Sequence, residues 1–246
     1  MQFRVKSEKG QSGSDGLVPT LEDLKTIQRA GGFDASQIGM LHANAQEVQK
    51  LYTAKLRAYR AFIAFFRSQH AIRALFKSSG LLRPGLRVLD AGCGFGTATF
   101  ALLDALRERN IEVQVIDAFD LTPAMLARFQ VDLEARGINQ VHLKQANVLE
   151  PEKLPATWND YDLIVSTSML EYVSRRGLSQ ALTALYARLA RRGILLGVIT
   201  RRNWITRILI EWCWHAAGYT RKELREAFAA GGFNELAFIR FPVQYF

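Results

Sequence analysis

Asp90 and the glycines that follow it at alternate positions, Gly92, Gly94 and Gly96, are the residues whose types and spacing most directly suggest chemistry. They stand in VLDAGCGFGTAT, residues 88–99, where an apolar run ends in an acid and passes into glycine. Such a junction reads as a buried parallel strand feeding a nucleotide-binding turn. The acid sits at the carboxyl end of the strand, and the glycines let the backbone pass close to a ligand where a side chain would collide. A dinucleotide fingerprint is G-x-G-x-x-G, with the helix N-terminus facing a pyrophosphate. Here the spacing is G-x-G-x-G, and Thr97 takes the place of the third glycine, which favours a ligand without phosphate over NAD. Glycine-rich strand-to-helix turns also occur with no ligand, so the reading needs a second feature beside it.

That feature is Asp120. Residues 111–119 form a β-rich run that ends in this acid, and LTPAML follows, with Thr122 as N-cap and Pro123 at the first helical position. An acid at this strand end can accept both hydroxyls of a ribose. Asp117 competes with it, but its place inside the apolar run directs it elsewhere. VHLKQANVLE supplies a third strand finishing near Ala146, Asn147 and Val148; Asn147 is either a partner for an adenine amino group or a turn residue. YDLIVSTSMLEYV, residues 161–173, gives a fourth strand with Ser166, Glu171 and Tyr172 as polar side chains near its end.

Positioning these groups calls for strands alternating with helices. Residues 95–109 have the apolar spacing of a helix packed on a sheet. The remainder alternates strand and helix through a last strand at 235–241, after which only VQYF follows Pro242. Upstream, residues 1–19 are rich in Gly, Ser and charge and read as a flexible tail. A capping box of Thr20 with Asp23 opens a helix that stops at Gly31 and Gly32, and residues 34–78 are helix-forming. With 246 residues, 49% of them hydrophobic, the chain has apolar material for one α/β domain and an extension.

In order, VLDAGCGFGTAT, FDLTPAML, QANVLE, YDLIVSTSMLEYV, RRGILLGVIT and YTRKELREAFAAGGF resemble the class I S-adenosylmethionine-dependent methyltransferases, most closely their ubiquinone-biosynthesis-like branch. The resemblance covers residues 80–241. It implies a doubly wound, Rossmann-like, mostly parallel sheet with helices on both faces, an N-terminal helical cover at 20–79, the methyltransferase domain at 80–246, and a lid at 201–219. It further implies S-adenosylmethionine as cofactor, with Asp90, Gly92 and Gly94 along its methionine end, Asp120 on the ribose, and Asn147 and Val148 flanking the adenine. Cys93, Leu121 and Ser166 complete the implied cofactor-binding set, and Glu171, Tyr172 and Ser166 are the candidates for the acceptor side. The family usually carries an acid where Asn147 stands; Asn keeps an acceptor and adds a donor. The family also closes its sheet with a two-strand hairpin. This chain has material for one strand and a stub, so the final antiparallel strand is expected to be truncated, short or completed by a partner.

The formal net charge of +9 is regional. Nine cations and no acid lie between Glu47 and Asp90, eight arginines and no acid lie between Glu171 and Glu211, and the rest of the chain is net acidic. Both segments also carry large apolar groups, among them Tyr59, Phe62, Phe65, Phe66, Trp204, Trp212 and Trp214. Basic helices with aromatic faces suit an anionic membrane surface, and arginine forks suit a phosphate-bearing substrate. The plain alternative packs the aromatics on the sheet and leaves the arginines solvated. No apolar run approaches the length of a membrane span, and two cysteines, Cys93 and Cys213, make neither a metal set nor a disulfide framework. A reducing cytoplasm follows as the expected compartment, with peripheral association at the inner face of the membrane beside it.

Methyl transfer from a sulfonium needs alignment and exclusion of water, and needs a base only for a poor nucleophile. His42, His70 and His215 fall in the covering segments as further bases, whereas His142 lies in the third strand. The fourth strand lacks the Asn-Pro-Pro-Tyr type of ending used on adenine or glutamine nitrogens, and no carboxylate trio offers a catechol-type metal site. The expected acceptor is a small hydrophobic or amphiphilic molecule, a quinone precursor or lipid included. A nicotinamide-dependent oxidoreductase, and a non-catalytic protein of this fold binding anionic lipid or RNA, are the other readings. Nucleic acid is not an expected partner of the methyltransferase, and the sequence sets no oligomeric state.

Overall fold

Apolar runs bounded by turn residues become the strands of the computed structural model, which describes residues 2–6, 68–199 and 219–239. The elements are β1 (Gln2–Lys6), α1 (Ser68–Ser78), β2 (Leu86–Ala91), α2 (Thr97–Arg107), β3 (Val113–Asp120), α3 (Pro123–Ala135) and β4 (Val141–Gln145). They continue with β5 (Tyr161–Thr167), α4 (Leu178–Arg188), β6 (Leu189–Val198), α5 (Arg221–Ala230) and β7 (Glu235–Ile239). The strands form one sheet in the order β4-β3-β2-β5-β6-β1-β7. β2 to β6 pair in parallel. Val88, Leu89 and Ala91 are wholly buried, as befits a central parallel strand covered on both faces.

Two apolar layers flank the sheet. On one face Leu75, Phe76, Phe100, Leu102, Leu106 and Phe129 bring α1, α2 and α3 onto Val88, Leu163 and Leu196. On the other, Leu182, Leu185, Leu224 and Phe228 bring α4 and α5 onto Leu89, Phe119, Ile164 and Leu195. The expected arrangement of helices on both faces is therefore present. α1 packs into the first layer as part of the domain, with Gln69 donating to Asp104 and Arg73 and Lys77 paired to Glu108. The expected helix at 20–30, the rest of the N-terminal cover and the lid at 201–218 lie outside the described residues.

The start of the chain corrects the sequence reading in two ways. Residues 2–6, expected as flexible tail, form β1, an inner strand that pairs antiparallel with β6 on one side and with β7 on the other. The antiparallel strand that the C-terminal end was expected to lack is supplied by the N-terminus, and β7 consequently runs parallel to β6. The physical reason is a five-residue alternation too short to stand out beside Gly, Ser and charge. Phe3 and Val5 point inward with no exposure, while Lys6 points to solvent. Phe3 is opposite Gly197 in register, and a Cβ there would lie 2.1 Å from its ring. The ring also meets Phe228 edge-on at 4.6 Å between centroids.

Replacing Phe3 with Ala should therefore cost about 3–5 kcal/mol in urea unfolding, whereas Lys6→Ala should stay within about 0.5 kcal/mol. Equal effects would show that β1 is not part of the cooperative domain.

Candidate functional site

The strands leave a crevice where their connections diverge. From β2 the chain crosses to β3 and β4, then returns to β5 on the opposite side of β2, so the ends of β2, β3 and β5 surround a topological switch point. Ala91, Asp120 and Thr167 are the last residues of these three strands.

A set of backbone donors fixes the loop after β2. The N–H groups of Gly92 and Cys93 both donate to the Phe119 carbonyl, at 2.9 and 3.0 Å. Gly94 donates its N–H to Asp120 Oδ2 at 2.8 Å, and Thr122 donates to Oδ1 at 2.8 Å. One carboxylate therefore holds the glycine loop to the start of α3, with further lone pairs left for a ligand. The three glycines share left-handed backbone but differ in surroundings. A Cβ on Gly96 would fall 2.1 Å from the Phe129 ring and one on Gly92 2.3 Å from Met169, while one on Gly94 would meet nothing within 4 Å. Gly94 thus opens the loop, and Gly96 supports helix packing, the role that a dinucleotide fingerprint assigns to the glycine replaced here by Thr97.

Of the two competing acids, Asp120 is the one brought to this loop. Asp117 accepts from the Tyr161 hydroxyl at 2.6 Å and meets His142 Nδ1 at 2.8 Å, within a network of β3, β4 and β5. Asp90 is 2% exposed and accepts from Thr99 Oγ1 at 2.6 Å, while its Oδ1 has no partner among the described residues. Burial pushes Asp90 up to about 7; the Thr99 hydrogen bond opposes that shift and Asp120 adds to it. Burial also raises Asp120, against the N–H donors of Thr122 and Gly94. The Cys93 thiol is raised chiefly by burial and is held as a neutral, buried group.

Asn147 uses its Oδ1 to accept from Leu149 N–H at 3.1 Å, so the turn role is present and the side-chain NH₂ remains as a donor. Ala146 N–H donates to the Asp120 carbonyl, which brings Asn147 and Val148 to the end of β3; Leu121 takes a hydrogen bond from Gln145 on its carbonyl. At β5, Ser166 is 1% exposed, its Oγ has no partner among the described residues, and it stands in register with Gly197. Glu171 is 3% exposed in a short 3-10 turn, Leu170–Tyr172, and Tyr172 is half-buried. Tyr219, where the chain re-enters the described domain, donates to the Val173 carbonyl and is pushed up to about 12, chiefly by burial. Arg175 covers its ring and pairs with Glu223. His70 is exposed on α1; His42 and His215 lie outside the described residues.

No group of His, Cys, Asp and Glu among the described residues could hold a metal ion. Sequence reasoning missed Thr99, Phe129 and Met169. Phe129 stands on a helix face with no local signal, whereas Thr99 closes the first quoted motif and Met169 lies within the fourth, so both could have been found there.

Folded Asp90 keeps its proton up to about pH 7, whereas the ordinary value is 3.8. The folded state thus binds more protons across that window, and this group's contribution to stability falls as pH rises through it. Asp90→Asn should remove this dependence, which for one proton is at most about 1.4 kcal/mol per pH unit. Urea unfolding of both proteins between pH 4 and 7 checks it; parallel profiles would contradict the assignment.

A family model described as a methyltransferase domain matches residues 88–193. No curated protein matches the sequence. Among solved structures, magnesium protoporphyrin IX methyltransferase from Synechocystis with bound SAH is similar at a TM-score of 0.57 and 18% identity, over 76% of this chain and 88% of that one. The complex of the Haloferax volcanii Trm112 methyltransferase activator with a putative methyltransferase gives 0.56 and 19%, over 75% of each chain. Haemonchus contortus phosphoethanolamine N-methyltransferase 2, with phosphomonomethylethanolamine and S-adenosylhomocysteine, gives 0.52 and 16%, over 65% of this chain and 35% of that one. At these identities the likeness shows the fold, and the family match over residues 88–193 favours the methyltransferase reading over the nicotinamide one. Residues 88–193 thus match a methyltransferase-domain model, within a fold similar to that of solved methyltransferase structures.

Proposed function

We propose that this chain transfers a methyl group from S-adenosylmethionine to a small hydrophobic or amphiphilic acceptor. The observation that carries the cofactor is the carboxylate of Asp120, oriented by two backbone N–H groups beside the open face of Gly94. Held this way, Asp120 can accept two ribose hydroxyls without moving. Backbone of Gly92 and Gly94 would line the methionine end, with the free Oδ1 of Asp90 beneath, and Asn147 and Val148 would flank the adenine. The cofactor supplies a methyl group on a sulfonium, so these residues bind, orient and exclude water.

On the acceptor side, Glu171 is the polar group we place beside the nucleophile, among buried Leu170 and Val173. Its task as base arises only for a hydroxyl acceptor. Tyr172 and Ser166 are the other candidates, although Ser166 is sealed beneath the surface in the row that holds Gly197 and Phe3. Among the similar proteins, one is a phosphoethanolamine N-methyltransferase in complex with phosphomonomethylethanolamine and another a magnesium protoporphyrin IX methyltransferase, and both named compounds are small molecules.

An anionic membrane surface is proposed as the place where a lipid-like acceptor is presented. Several described cations of the basic segments are used within the fold. Arg73 and Lys77 pair with Glu108, Arg83 with Asp162 and Arg175 with Glu223, and Arg188 donates to the carbonyls of Pro151 and Trp158. The surface proposal rests on basic residues outside the described ones, such as Lys50, Arg57, Arg60, Arg201 and Arg202. No described helix is long and apolar enough to cross a membrane.

Calorimetric titration with S-adenosylmethionine, S-adenosylhomocysteine and NAD should give saturable binding of the first two alone. Binding of NAD alone would overturn the cofactor assignment. Asp120→Ala should weaken S-adenosylmethionine by about 1–3 kcal/mol through loss of a charged acceptor. Asp117→Asn, which alters a polar network away from the loop, should leave the dissociation constant within about twofold even where it lowers stability; the reverse pattern would mean that the wrong acid holds the ribose.

A further inference from the structure

We infer that Met169 forms the wall of the cofactor site on the β5 side and lies beside the sulfonium, an assignment that rests on the cofactor proposed above. The side chain of Met169 fills the space left by the missing side chain of Gly92. A Cβ on that glycine would fall 2.3 Å from both Cβ and Cγ of Met169, so the glycine loop and the loop after β5 touch at this point. Gly94, two residues on, faces open space. The contact therefore marks a boundary of the cradle rather than its middle.

The backbone is arranged to put Met169 there. Ser168, immediately before it, has φ +58°, a left-handed conformation in a residue that carries a side chain. It is held by the hydrogen bond from its N–H to the Val198 carbonyl at 2.9 Å, and Met169 in turn accepts from the Tyr172 N–H at 2.9 Å. Strained residues that persist because their surroundings hold them cluster at ligand sites. Here the strain directs the following side chain across the end of β5 toward β2.

Strand order supplies the distance argument. Neighbouring strands are about 4.8 Å apart, and the ends in question run β3, β2, β5. A ribose held by Asp120 at the end of β3 carries the group on its 5′ carbon one strand further, over Gly94 and Gly92 at the end of β2. The next strand end is that of β5, and its residue in contact with Gly92 is Met169. Methionine suits the position chemically. Its thioether is soft, polarizable and uncharged, so it packs against a sulfonium without attracting it strongly and equally tolerates the neutral thioether left after methyl transfer. A charged side chain at the same place would separate the two compounds, because only S-adenosylmethionine carries the positive sulfur.

The test uses the full chain and both compounds. Met169→Glu should raise the ratio of the S-adenosylhomocysteine to the S-adenosylmethionine dissociation constant at least threefold, Met169→Lys should lower it at least threefold, and Met169→Leu should leave it within twofold. Since both ligands are titrated into the same protein, loss of folded fraction cancels in the ratio. Ratios unchanged in both charged variants would overturn the inference, whereas failure of the unsubstituted chain to bind either compound would overturn the cofactor reading itself. A second measurement needs no variant that must fold with a charge in place. The chain has four methionines, so methyl-labelled methionine gives a spectrum that Met169→Leu assigns. On saturation with S-adenosylhomocysteine the Met169 methyl resonance should move while that of buried Met125 stays. A Met169 resonance that stays fixed as binding saturates would contradict the inference.

Discussion

The carboxylate of Asp120 is the interaction on which the site depends. It joins two segments that the chain visits separately, the glycine turn after β2 and the start of α3, by accepting one backbone N–H from each. Without it the first residues of the loop would keep the Phe119 carbonyl and the Met169 contact, but the open face at Gly94 would lose its carboxylate anchor. Ionised oxygen bonded to backbone N–H groups is a strong and directional arrangement. Burial works against that charge and raises Asp120, and the N–H donors oppose the rise. On the proposed reading, a ligand with paired hydroxyls would add further donors to the same oxygens, so that the preorganised acid and its ligand would reinforce each other.

A second constraint comes from sheet closure. A parallel sheet that stopped at β6 would expose a row of unpaired backbone groups beside the site. The chain covers that row with its own first residues, and the fit is specific because Gly197 leaves room for the Phe3 ring. The pairing of Gln2 with Val198 places the start of β1 at the end of β6, whose Val198 carbonyl also holds Ser168. The N-terminus and the loop carrying Met169 and Glu171 thus share a support, although they lie far apart in sequence.

The parallel half of the sheet and the strand-end positions of Asp90 and Asp120 were legible because they depend on local patterns. VLDAGCGFGTAT and FDLTPAML each hold strand, turn and helix start within a dozen residues, and β2 and β3 end within a residue of where those patterns indicate. β1 was not legible, since five alternating residues gain meaning only from partners far along the chain, in β6 and β7. The choice between Asp117 and Asp120 followed from pattern, but the reason Asp117 turns away, its bonds to Tyr161 and His142, did not. Thr99 beneath Asp90 and Met169 against Gly92 arise from the third dimension and carry no periodic signal. The sequence left the two basic segments open between a membrane- or phosphate-facing surface and plainly solvated arginines, whereas Arg73, Lys77, Arg83 and Arg175 are each tied to an acid of the domain.

A crystal structure of the full chain with S-adenosylhomocysteine would test the central claim most directly. Both ribose hydroxyls should lie within hydrogen-bond reach of the Asp120 oxygens, with the Gly94 and Thr122 N–H groups still donating to the same carboxylate. A ribose bound elsewhere, or an Asp120 released from Gly94 to make room for it, would contradict it.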